Sequence, residues 1–210
     1  MLEYVVLKLA RDTGLDRKTI KYRLCHCTDN IQHNAPILWV GSNIIPNDFL
    51  MANTSVLRLV ITMNYLWALE VVNNYGCLET MNALSISIGH ESGHINGDFR
   101  YKGKHKALVN WIVEVHNDFY GCALNASYQK NALISSCEYK YRYKKERNIE
   151  DDSKSATHPT WEQRIKYAEY GSFDEELFKM IAEDSNVTIT KDIELLFDKI
   201  IDFYGEIHLR

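Results

Sequence analysis

Long apolar runs are missing from this chain of 210 residues. Its most apolar window, Ser55 to Val72, is broken by Arg58, Asn64 and Glu70. It therefore falls short of the roughly 20 continuous apolar residues a helix needs to cross a bilayer, and no membrane span is expected. No basic stretch leads into an apolar one at the start, which argues against a secretory signal. An excess of one charge is missing too: 24 Lys and Arg face 28 Asp and Glu, for a formal charge of −4. That balance speaks against a general nucleic-acid binder and against an acidic disordered chain. Cysteine is sparse and odd in number, at Cys25, Cys27, Cys77, Cys122 and Cys137. The irregular spacing excludes a disulfide framework and points to a reducing, cytoplasmic compartment. Cys25-His26-Cys27 lacks a second pair at zinc-finger spacing and reads as ordinary thiols. Only three prolines occur, Pro36, Pro46 and Pro159, and no repeat or low-complexity tract is visible. What remains, 46% hydrophobic and 25% charged, is the composition of one compact domain with a core.

The patterning is mostly helical. Leu2 to Cys25 reads as two short helices around Gly14. Asn34 to Leu50 reads as extended and turn-rich, with a strand near Ile37 to Val40. A long helix is predicted over Ser55 to Val72. Another is predicted over Leu78 to Asn96, where Leu78, Met81, Ser85, Ile88 and Ile95 recur at helical steps and Gly97 supplies a stop. A further helix follows from about Ala107 to Ala126. The basic, aromatic run Glu138 to Arg147 reads as a solvated helix end leading into an acidic loop. Thr160 with Gln163, and Ser172 with Glu175, fit capping boxes, so helices should start near Trp161 and Phe173. A last helix covers Thr190 to Tyr204. The expected fold is mainly α with a small β element. Residues 1–30 form an N-terminal helical segment and 31–210 the main domain.

Chemistry concentrates in three places. On a helix, residues i and i+4 share a face, so His90 and His94 direct two imidazoles at one point, as a tetrahedral zinc requires of two ligands. Glu91 lies beside them, placed to take a proton from a zinc-activated water. The competing reading is a solvated polar face. A third ligand is offered by Glu114, which shares a face with Asp118 at i+4. Gly121, one turn on, permits close approach of two helices. Asp118 would then orient a ligating histidine. His116 competes for the ligand role, but it lies about 200° around the helix from Glu114. Last, His158 precedes Pro159, read as the first helical position, and Arg164 follows. His158 is placed to donate to an oxyanion, and Arg164 to bind a carboxylate in the site or a substrate carbonyl.

In this order, His90-Glu91-Ser92-Gly93-His94, then Glu114 to Asp118 with Gly121, then His158-Pro159 with Arg164, the chain resembles the HtpX-type and CAAX-prenyl-protease-type zinc metallopeptidases, a gluzincin group. More loosely it resembles Lit-type phage-exclusion peptidases. The likeness covers about a third of the chain. In those families a small residue precedes the aspartate; here it is Asn117. The resemblance implies a zincin-like domain with an active-site helix pair, Zn2+ held by His90, His94 and Glu114, and Glu91 as general base. It also implies Asp118 behind a histidine, and His158 and Arg164 assisting in the cleft over a polypeptide substrate.

Two other readings belong to different classes. Leu9 to Leu24 resembles a helix-turn-helix, with Arg17, Lys18, Lys21 and Arg23 turned to DNA; it implies a DNA-binding regulator or phage-related protein with a structural or degenerate zinc site. The third is a folded zinc protein without catalysis, closed by His116 or His158 as fourth ligand.

Overall fold

The computed structural model describes residues 22–25, 37–40, 52–55, 60–64, 73, 77–146 and 157–210. Four short strands come first: β1 (Tyr22–Cys25), β2 (Ile37–Val40), β3 (Ala52–Ser55) and β4 (Val60–Asn64). They form an antiparallel sheet in the order β1-β2-β4-β3. Six helices follow: α1 (Leu78–Asn96), α2 (Lys106–Asn125), α3 (Lys130–Glu146), α4 (Trp161–Tyr170), α5 (Glu175–Asp184) and α6 (Lys191–Tyr204). A two-stranded ribbon joins β5 (Ser172–Phe173) to β6 (Ile207–His208). The described chain is mainly helical, and among its residues no helix is long and apolar enough to cross a membrane.

Several local expectations change. The helix expected over Ser55 to Val72 gives way at Val60–Asn64 to a strand paired on both sides. The β-branched run Val60-Ile61-Thr62 favours that choice. Of the two helices expected within Leu2 to Cys25, the described part, Tyr22–Cys25, is a strand paired with β2. That pairing also runs across the boundary drawn at residue 30. The rest of both segments, including most of the helix-turn-helix pattern, lies outside the described residues. The strand expected at Ile37 to Val40 is β2, in the interior of the sheet.

Helix ends follow their caps. Gly97, at φ 127°, closes α1 and its N–H donates to Gly93 O. Thr160 and Gln163 complete a reciprocal capping box at the start of α4, so Pro159 stands just before the cap and not at the first helical position. The box expected at Ser172 does not form. Ser172 is in β5, and α5 begins at Glu175, two residues past the expected start, behind Asp174, whose carboxylate accepts from Leu177 N–H.

α2 is the central element. Ile112 to Phe119 are buried without interruption, so this stretch has no solvent face. α1 packs on α2, α3, β3 and β4, and α4 packs on α3. β5, α5 and α6 close the other side with Phe173, Phe178, Ile181, Phe197 and Ile200, all sealed from solvent. The basic, aromatic run of α3 is only half solvated: Tyr139, Lys140, Tyr143 and Lys144 are buried, while Arg142 and Lys145 are exposed.

Candidate metal centre

The site is built by two helices that meet backbone to backbone. α1 and α2 run antiparallel in a register that repeats each turn. Asn125 Nδ2 donates to Ser85 O at 2.6 Å, Gly89 faces Gly121, and Gly93 faces Asn117. A Cβ on Gly89 would sit 2.5 Å from Gly121 Cα, and one on Gly121 would sit 2.6 Å from Ile86 O. Neither position has room for a side chain. Gly93 likewise makes the space that Asn117 occupies. This register sets His90 and His94 opposite Asp118 and Glu114.

The donor atoms then converge. His90 Nε2 and His94 Nε2 are 3.2 Å apart. Glu114 Oε2 lies 3.2 Å from the first and Oε1 3.5 Å from the second. A tetrahedral zinc with bonds of about 2.0–2.1 Å has ligand–ligand edges of about 3.3–3.4 Å; the two imidazole nitrogens stand near that spacing, and a different Glu114 oxygen lies close to each. Among the described residues His90, His94 and Glu114 are the group able to hold a metal, with donor atoms within 4.8 Å of one another.

The outer nitrogens explain the ring orientations. His90 Nδ1 is 2.9 Å from Asp118 Oδ1. His94 Nδ1 is 2.9 and 3.0 Å from the two oxygens of Asp98. Carboxylates only accept, so Asp118 calls for a proton on His90 Nδ1 and the Asp98 oxygens for one on His94 Nδ1, where the Asn117 Nδ2 donor also lies at 3.0 Å; with the proton there, each Nε2 turns inward. Two inward lone pairs at 3.2 Å repel unless a cation lies between them. A proton can satisfy only one of these contacts at a time, whereas a metal ion satisfies all three.

The electrostatics agree. Burial works against charging His90, but hydrogen bonds to Asp118 and Glu114 outweigh it and raise its pKa to about 9. Burial also opposes charge on His94, yet Asp98 and Glu114 raise it. Against its own burial, Glu114 is held well below the usual carboxylate range by His90, His94 and His158. Asp118 is lowered despite burial, chiefly by Arg164.

Arg164 is buried at the back of the site. Its Nη2 donates to Glu114 Oε2 at 3.0 Å, and its Nε lies 3.1 Å from Asp118 Oδ2 without the alignment of a hydrogen bond. It therefore holds the two carboxylates in place and does not face an open cleft. His158 stands at the rim, with Nε2 3.4 Å from Glu114 Oε1 and Nδ1 2.7 Å from Thr157 Oγ1. Glu91 is buried directly after His90, and its charge acts on His94. His116 points elsewhere. Its ring stacks on Tyr204 with centroids 3.6 Å apart, and its Nδ1 lies 2.9 Å from Asn117 Oδ1. Burial pushes its pKa down to about 4.

Sequence reasoning missed two contributors. Asp98 stands one residue past the helix stop, and the only signal for it is its i+4 distance from His94. Asn117 links the two halves: Oδ1 accepts from His116, and Nδ2 lies 3.4 Å from Asp98 Oδ1. Asp98 is held in turn by its neighbour, since Phe99 N–H donates to Tyr204 Oη at 2.8 Å. No protein-family model, curated protein or solved structure matches the chain.

Proposed function

We propose that this chain is a zinc-dependent endopeptidase with a zincin-like active-site helix pair, His90, His94 and Glu114 holding the ion and Glu91 acting as general base. One observation carries the proposal: the two imidazole Nε2 atoms stand 3.2 Å apart, one Glu114 oxygen lies 3.2 Å from the first and the other 3.5 Å from the second, and both histidines are oriented from behind by carboxylates. The likeness to HtpX-type and CAAX-prenyl-protease-type metallopeptidases supports the same assignment, as does two imidazoles and one carboxylate being a common catalytic zinc set. When bound, zinc lowers the pKa of water toward about 7 and polarises a carbonyl.

The chain supplies the rest. Glu91 accepts the proton of the attacking water and passes it to the leaving amine. His158, part-exposed at the rim and oriented by Thr157, donates to the oxyanion that develops on the substrate carbonyl. Arg164 and Asp118 fix Glu114 and His90 so that the ligands need not reorganise. An extended polypeptide can add to a free strand edge. β2 is interior, and the outer described strand that packs on α1 is β3. A cytoplasmic setting, read from the cysteine usage, belongs to the same proposal.

The test is Glu91→Gln. Purified with zinc, it should keep about one ion per chain and lose peptide cleavage by about a thousandfold or more, a ΔΔG‡ of about 4 kcal/mol. Cleavage at the parent rate sinks the proposal.

A further inference from the structure

We propose that Lys140 heads a carboxylate-binding subsite beside the metal centre, selecting peptides that carry an anionic group near the bond to be cut. The inference rests on the peptidase reading and names its substrate class.

The starting point is Trp161, the first residue of α4. Three cations gather on its indole: Arg164 Cζ at 4.7 Å from the ring centroid, Lys140 Nζ at 5.3 Å and Lys144 Nζ at 5.8 Å. Arg164 is answered by Glu114 and Asp118. Lys140 is not answered. It is 4% exposed, yet among the described residues its ammonium makes neither a hydrogen bond nor an ion pair. Lysine is almost never this buried without a partner. The π face of Trp161 offsets part of the lost hydration but supplies no acceptor for three N–H groups.

The position of this ammonium is what gives it a role. Arg164 touches the same ring and reaches Glu114, so Lys140 lies one indole away from a metal-ligating carboxylate. Glu91 and Asp118 act on it only at longer range, and burial pushes its pKa down. Ser136 Oγ and Asn125 Oδ1 are sealed atoms without partners. Lys140 has no such partner either among the described residues, and 4% of its surface stays exposed. A nearly buried point donor without an acceptor, beside a hydrolytic site, fits a carboxylate. For a polypeptide, that carboxylate is an acidic side chain or a free C-terminus.

The experiment uses the full chain, zinc-loaded and carrying Glu91→Gln, titrated calorimetrically with three probes. N-acetyl-glutamate α-amide has only the side-chain carboxylate, N-acetyl-glutamine only the α-carboxylate, and N-acetyl-glutamine α-amide neither. One charged probe should bind at least tenfold more tightly than the neutral one, and Lys140→Met should erase that ratio while Lys140→Arg keeps part of it. Which charged probe wins identifies the source. Circular dichroism and zinc content decide whether the ratio is read in Lys140→Met or in Lys140→Gln. Equal binding of all three probes, or a preference that survives loss of Lys140, overturns the subsite. Failure of the peptidase reading is a separate result: a parent chain that cleaves no peptide while the binding ratio still follows Lys140.

Discussion

The helix pair α1–α2 and the C-terminal layer α5–α6 bury their residues for opposite reasons. Between Thr80 and Arg164 the interior takes in Glu91, Glu114, Asp118, Lys140 and Arg164 beside its apolar side chains. From Phe173 to Ile200 the buried side chains named above and their neighbours Leu177, Ala182, Ile193 and Leu196 are apolar throughout. The second arrangement is what hydrophobic burial alone produces. The first is costly, because each desolvated charge needs a matched partner. Such a cluster persists where it serves a site, and here the apolar layer gives it a rigid base. Tyr204 of α6 joins the two, stacking on His116 and holding the backbone beside Asp98.

Substitutions on the two sides should therefore fail differently. Phe197 is fully buried, and Phe197→Ala should cost about 3–5 kcal/mol of stability with zinc stoichiometry unchanged. Glu114→Ala should instead lose the ion. Chemical denaturation with zinc analysis of both variants reads the contrast; equal zinc loss in both would erase it. Gly121→Ala tests the seam. Its Cβ meets backbone atoms of α1 at 2.6 and 2.8 Å, which cannot yield as a flexible side chain would. It should cost about 1–3 kcal/mol and weaken zinc binding as well, because spreading the helices moves His90 away from Glu114. Asp98→Ala should be milder, lowering zinc affinity by about 10–100-fold in a competition titration, with little change in the fold.

The smallest effect is in pH. Without metal, His90 has a folded pKa of about 9 against an ordinary 6.5. A raised pKa means the folded state binds the proton more tightly. That stabilisation is complete below pH 6.5 and disappears as pH rises through 9. Thermal melts with a chelator should thus fall across that window, while zinc-loaded melts should not, since the ion takes the place of the proton. Parallel curves with and without zinc would separate His90 from the metal.

What could be read from the sequence was the periodic part. α1 spans Leu78–Asn96 as its spacing and Gly97 indicate, and the i, i+4 rule alone sets His90 with His94 and Glu114 with Asp118. Two kinds of feature escaped. Val60–Asn64 sits in an apolar run that periodicity cannot assign between buried strand and helix; cross-strand pairing decides it. Asp98 and Lys140 escaped because their importance depends on tertiary contacts. One lies in the connector after a helix, and the other in a run whose charges suggest a solvated face.

X-ray absorption at the zinc edge tests the central claim most directly. The zinc-loaded chain should show two imidazole nitrogens and a carboxylate oxygen at about 2.0–2.2 Å, with a further light-atom ligand that exchanges with added inhibitor. A closed shell of four protein ligands, or a chain that binds no zinc with His90, His94 and Glu114 intact, would contradict it.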